Sequence, residues 1–208
     1  MNKTENCHRP RYIVLFPELE RDGKKLRRQH KCLLLGCGEA GKSTFIKQMR
    51  IMNNHTFTDE ELTAYKQQIS VNIHSAITKL CYELNSNELD SMGKTPELLE
   101  AMDQVQAIKT VSPATIFDSA AIIKTLWECE EIQATYLRRN EFQIEECARY
   151  FLSRVDQVME KSYTPTMQDI VQIRERTTGI VEHHFVMNNP NAMGPFQSKP
   201  QTVILVSQ

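Results

Sequence analysis

No run in this sequence approaches the roughly 20 consecutive apolar residues of a membrane-spanning helix. None of its six cysteines forms a C-x-x-C pair. The spacings of Cys7, Cys32, Cys37, Cys81, Cys129 and Cys147 match no metal site, so they read as free thiols of a reducing compartment. An excess of one charge is lacking too: 25 Lys and Arg stand against 26 Asp and Glu, a formal net charge of −1. A chain so balanced has no global field to draw it to nucleic acid or to a membrane. The basic residues Lys24, Lys25, Arg27, Arg28, His30 and Lys31 are a local cluster and read as a solvated face. Met1 to Arg11 is polar, and the apolar run Tyr12 to Phe16 is too short for a signal peptide. Asn2 stands where N-myristoylation requires glycine, which excludes that anchor. Cys7 reads as a plain thiol in a loose arm, with palmitoylation as the alternative. What is present is an ordinary globular balance, 40% hydrophobic and 25% charged, in a chain long enough to bury a core without disulfides.

Residues 1–30 read as a charged arm, where Gly23 weakens the helix that Leu19 and Leu26 could share. Cys32 to Leu35 is a short apolar run closed by Gly36, the pattern of a buried strand. After a glycine-rich turn, Phe45, Ile46, Met49 and Met52 recur at helical spacing. Thr58 with Glu61 forms a capping box that opens a long helix, with Leu62, Tyr65, Ile69, Ile73, Ile77, Leu80 and Leu84 on one face. Thr95 followed by Pro96 opens a second helix. A third is predicted from about Ser119 to Trp127, a fourth from about Ile132 to Phe142, and a fifth carries Cys147, Tyr150, Phe151, Val155 and Val158. These stripes are core packing. Residues 163–178 read as a linker with a short helical turn, 179–186 as the start of a second strand, and Thr202 to Val206 as strand-like. Domains are therefore expected at 31–56 (strand, loop and helix), 57–170 (an inserted all-helical module), 171–186, and a divergent tail at 187–208.

Gly36 to Ser43 satisfies G-x-x-x-x-G-K-[ST]. Glycines let the backbone bend so that successive N–H groups face phosphate oxygens. The helix that follows presents its positive end to the same anion. Lys42 reaches the outer phosphates as a point charge, and the Ser43 hydroxyl can ligate Mg²⁺. The preceding strand and following helix supply the context this motif needs. The motif alone leaves kinases, ATPases and GTPases open. His183-His184 is a poor metal pair, because adjacent strand residues point to opposite faces.

The stretch Cys32-Leu-Leu-Leu-Gly-Cys-Gly-Glu-Ala-Gly-Lys-Ser-Thr-Phe-Ile-Lys-Gln-Met-Arg-Ile51 resembles the first strand, loop and helix of heterotrimeric G-protein alpha subunits. Tyr163-x-Pro-Thr-x-Gln-Asp and Arg174-x-Arg-Thr-Thr-Gly-Ile-Val-Glu182 resemble their second linker and first switch. The helical block, with Leu126-Trp127 and Tyr136-x-Arg-Arg-x-Glu-Phe142, looks most like the q class. The resemblance implies a predominantly helical chain: an α/β P-loop NTPase (Ras-like) fragment with an inserted all-α domain. It implies a GTPase that switches between GTP and GDP with Mg²⁺, works with a beta-gamma dimer and a G-protein-coupled receptor, and lies in the cytoplasm at the inner face of the plasma membrane through peripheral association. Arg174 matches the family's arginine finger, a charge stabiliser in phosphoryl transfer. Glu39 matches the loop glutamate that pairs with it. Ser43 and Thr177 match the metal-holding hydroxyls. Gly38, Glu39, Ala40, Gly41, Lys42, Ser43 and Thr44, then Glu146 and Cys147, then Val171, Gln172, Ile173, Arg174 and Thr177, match nucleotide-contacting positions. Ala40 replaces a usual serine, and Glu146-Cys147 a usual Asp-Ser.

The family's Asp-x-x-Gly-Gln strand and base-reading segments are expected to be missing, since the chain diverges after Phe185. Asp90-Ser-Met-Gly93 follows a helix and Asn2-Lys3-Thr4-Glu5 precedes the loop, so neither replaces them. Exposed apolar strand edges are expected to follow. A non-enzymatic helical interaction module is the alternative function.

Overall fold

A computed structural model describes Gly23 and residues 29–37, 40–54, 56–86, 94–175, 181–187 and 201–207. Most of the expected arm, Gly38, Glu39, the Asp90–Gly93 tetrapeptide, Thr177 and most of the tail lie outside the described residues. The chain divides into two units, Met1–Asn54 with Thr177–Gln208, and His55–Arg176.

The first unit holds β1 (Gln29–Leu34), α1 (Lys42–Met52), β2 (Val181–Met187) and β3 (Gln201–Ser207). The strand order is β1-β3-β2. β3 runs parallel to β1, with Gln29 opposite Thr202 and Leu34 opposite Ser207. It runs antiparallel to β2, with Val181 opposite Ser207 and Met187 opposite Gln201. The tail segment read as strand-like is thus the middle of a mixed sheet. Phe185 is buried, and Met49 of α1 packs against it. One expectation needs correction. The run Cys32 to Leu35 reads as a buried strand, yet Cys32 is exposed, Leu33 is 63% exposed and Leu35 65%. Strand side chains are buried only where another layer covers their face, and the face of β1 that carries Leu33 is exposed, as is Leu35 just past its end; β1 is also an edge strand, paired with β3 on one side.

The second unit is built round α2 (Asp59–Ser86). The capping box at its start is formed as the sequence predicts: Thr58 N donates to Glu61 Oε2 at 3.0 Å and Glu61 N to Thr58 Oγ1 at 3.3 Å. Around it lie α3 (Pro96–Gln106), α4 (Pro113–Asp118), α5 (Ala120–Glu128), α6 (Glu130–Leu137), α7 (Ala148–Leu152), α8 (Val155–Val158) and α9 (Met167–Gln172). Ile69, Ile73, Ile77, Leu80 and Leu84 of α2 are buried with Met102, Ile116, Ile123, Leu126, Ile132, Phe151, Leu152 and Ile170. Each such side chain stabilises the fold by about 1.5–3 kcal/mol on burial. Thr95 caps α3 by accepting from Leu98 N at 3.2 Å, with Pro96 in the first position.

Helix boundaries depart from the periodic reading in three places. Ser112 and Thr115 form a further capping box, so α4 precedes the predicted third helix. The fourth helix stops at Leu137. The fifth is broken: Arg154 adopts φ −129°, ψ 21° between α7 and α8. There its Nη1 donates to Tyr150 OH at 2.6 Å and to Asp169 Oδ1 at 3.1 Å.

Asp169 is fully buried. It accepts from Thr166 N at 2.7 Å, Thr166 Oγ1 at 2.6 Å, Tyr150 OH at 2.8 Å and the Tyr163 hydroxyl. Burial alone would push its carboxyl up, but these hydrogen bonds outweigh burial and hold it below the ordinary value. A carboxyl lowered on folding adds stability that is present above its unfolded value, about pH 4, and lost as pH falls through the folded value. Asp169→Asn should therefore destabilise the chain by about 3 kcal/mol near neutral pH. The gap to wild type should narrow below about pH 4; urea melts followed by circular dichroism across that range check both.

Candidate phosphate-binding loop and the Arg174 segment

β1 ends at Leu34 and the chain enters the loop at Gly36 and Cys37. Lys42, the first residue of α1, turns its side chain back on that entrance. Its Nζ donates to Gly36 O at 2.6 Å and to Cys37 O at 2.7 Å. A long side chain is thereby held at one spot. Two glycines make this possible. Gly41 has φ +79°, a left-handed conformation that costs a side chain about 1–2 kcal/mol. At Gly36 an added Cβ would come 3.2 Å from Ala40 Cβ and press on the Lys42 methylenes at 3.8 and 3.9 Å. A side chain there would fill the space that the loop and lysine share.

Gly41 is also the N-cap of α1 and brings no side-chain oxygen to the first-turn amides. The helix starts with Phe45 N donating to Gly41 O at 2.9 Å. An 11-residue helix so opened directs its positive end and a fixed ammonium to the same loop. That combination suits a polyphosphate. Ser43 and Thr44 follow in the first turn, both partly buried, and Ala40 is exposed. The Ser43 hydroxyl is a hard oxygen donor that suits Mg²⁺. Among the described residues no group of three His, Cys, Asp or Glu is placed to hold a metal.

The remaining described candidates lie in the helical unit. Glu146 is exposed, while Cys147 is buried at 3% exposure, its side chain within the helical core. Val171 and Gln172 are half-buried at the end of α9, and Ile173 is buried. Arg174 is held at both backbone groups. Its N–H donates to Asn72 Oδ1 at 3.1 Å, and its C=O accepts from Asn72 Nδ2 and Gln68 Nε2, each at 3.1 Å. Its Nη1 lies 3.5 Å from Glu145 Oε1, which also accepts from Ser75 Oγ at 3.0 Å. The structure thus gathers Gly36, Ala40, Gly41, Lys42 and Ser43 in one unit, and Cys147, Ile173 and Arg174 in the other. Gly38, Glu39 and Thr177 lie outside the described residues.

Four residues here were missed by reading the sequence: Gln68, Asn72, Ser75 and Glu145. For Asn72 a signal existed. It stands at i+7 from Tyr65 and i+3 from Ile69, a polar residue on the apolar stripe of α2.

The profile of one known family, the G-protein alpha subunit, matches residues 14–202. The chain belongs to the G-protein alpha subunit family. Members of that family are GTPases of the P-loop type with a helical domain, and they bind GTP and GDP in signal transduction. In this G-protein alpha chain the match spans both the loop Gly36–Ser43 and the compact helical unit His55–Arg176.

The geometry of this G-protein alpha chain sorts its thiols. Burial pushes Cys147 up, and pushes Cys81 up to about 12; Cys32 and Cys37 are exposed. A thiol reagent at neutral pH should label Cys32 and Cys37 in the folded chain, and Cys81 and Cys147 only after unfolding. Peptide mapping by mass spectrometry checks this, and labelling of Cys147 as fast as Cys37 would contradict the placement of α7.

Proposed function

We propose that this chain is a guanine-nucleotide switch of the q-like class. It takes GTP or GDP with Mg²⁺ at Gly36–Ser43 and couples to a G-protein-coupled receptor and a beta-gamma dimer at the inner face of the plasma membrane. The observation that carries the reading is the Lys42 ammonium drawn onto the Gly36 and Cys37 carbonyls, at the N-terminus of a helix that follows a strand. Magnesium-bound GTP supplies a phosphoric anhydride whose terminal group can pass to water. Lys42 and the first-turn amides of α1 neutralise the phosphate charge. Ser43 offers a hydroxyl to the metal, joined in the resemblance by Thr177. Arg174 carries the positive charge that the family directs to the transition state.

A second reading has its own observation. The helical unit closes a core that includes Ile69, Ile73, Ile77 and Phe151 at zero exposure, while Leu33 and Leu35 of β1 stand exposed. A helical module acting by interaction alone would need only the former.

Titration with a fluorescent GTP analogue in Mg²⁺ separates the two. The switch predicts submicromolar binding, weakened about a hundredfold, close to 3 kcal/mol, by Lys42→Ala. No binding, together with cooperative melting of the helices, would favour the module.

A further inference from the structure

The chain leaves α9 at Ile173, whose φ −58° and ψ 125° are those of extended backbone. From that point backbone groups lose their helical partners and need others. At Arg174 three hydrogen bonds come from α2. The Asn72 amide is both donor and acceptor, and it spends both on one residue, taking the Arg174 N–H and giving to the Arg174 C=O. This two-point ring fixes the peptide on either side of the Cα. Gln68, one turn earlier on the same helix, adds a second bond to the carbonyl.

Asn72 is itself buried. It is 5% exposed and flanked by Ile69 and Ile73 at zero exposure. A buried amide at such a position is costly unless its hydrogen bonds are made, and an apolar side chain would pack there without that demand. The segment leading to Arg174 is tethered to α2 as well. Lys66 Nζ donates to the carbonyls of Glu160, Lys161 and Tyr163 at 2.7, 3.1 and 3.1 Å. Beyond the backbone, Glu145 Oε1 lies 3.5 Å from Arg174 Nη1 and accepts from Ser75 Oγ.

From these contacts we infer that Asn72, assisted by Gln68, is a positioning residue for Arg174. α2 sets where the arginine's backbone stands, and the guanidinium swings from that fixed base. The inference rests on the role proposed for Arg174 in hydrolysis. Its structural half stands independently of that role.

Two measurements on the full chain test it. Amide hydrogen exchange by NMR reads the clasp directly: Asn72→Ala should speed exchange of the Arg174 N–H by about tenfold or more, with the Ile73–Leu84 amides unchanged. Unchanged exchange at Arg174 would overturn the inference. Single-turnover GTP hydrolysis reads the consequence. Asn72→Ala should slow it by about tenfold without altering nucleotide affinity. The double variant Asn72→Ala/Arg174→Ala should be no slower than Arg174→Ala alone, because both act through one side chain. Multiplying defects would mean that Asn72 acts elsewhere, and would also overturn it. Should Asn72→Ala fail to fold, Gln68→Ala, at a half-buried position, tests the same carbonyl with a smaller effect of the same pattern. Wild type that binds no GTP would sink the functional reading, while exchange at Arg174 would still decide whether the clasp exists.

Discussion

A loop that must hold a polyphosphate faces a conflict, because its own carbonyls repel the anion that its amides attract. In this chain a single side chain meets that conflict. Lys42 Nζ donates to the Gly36 and Cys37 carbonyls at 2.6 and 2.7 Å, which masks their negative ends at the strand end of the loop. Everything proposed about nucleotide depends on that arrangement. It also explains the two glycines: one adopts a left-handed φ at 41 and the other leaves room at 36 for the lysine stem to cross.

The two units solve the folding problem differently. The helical unit is organised by one long helix whose apolar stripe is covered on several sides by short helices. Its buried polar groups, Asp169 above all, are satisfied within it. The sheet unit relies on backbone pairing in a mixed arrangement with β3 at its centre. Its leucines at 33 and 35 stay in contact with solvent. Arg174 belongs by its hydrogen bonds to the first of these, although the sequence reading placed it with the switch segment that runs into β2. Arg174 and the loop Gly36–Ser43 thus belong to separate units.

What the sequence disclosed follows the range of the interactions. Capping is local, so Thr58 with Glu61 and Thr95 with Pro96 could be read directly. The G-x-x-x-x-G-K-S motif is eight consecutive residues, so as a pattern it is equally plain. The burial of β1 was misjudged because exposure depends on whether another layer covers the strand's face, which is settled outside the run itself. The break between α7 and α8 was hidden for a like reason: Arg154 is drawn out of helical geometry by Asp169, 15 residues away. Asn72 reaches Arg174 across 102 residues. A polar residue on an apolar stripe announces that it has a partner somewhere; only the fold says which.

The central claim is that the loop and the first turn of α1 converge on a phosphate. Proton–nitrogen correlation spectra of the labelled chain, recorded with and without magnesium GDP, test it most directly. The account predicts downfield shifts and slowed exchange at the amides of Gly41, Lys42, Ser43 and Thr44, as these groups bond to anionic oxygens. Spectra in which those four amides do not move, or in which changes fall only within the helical unit, would contradict it.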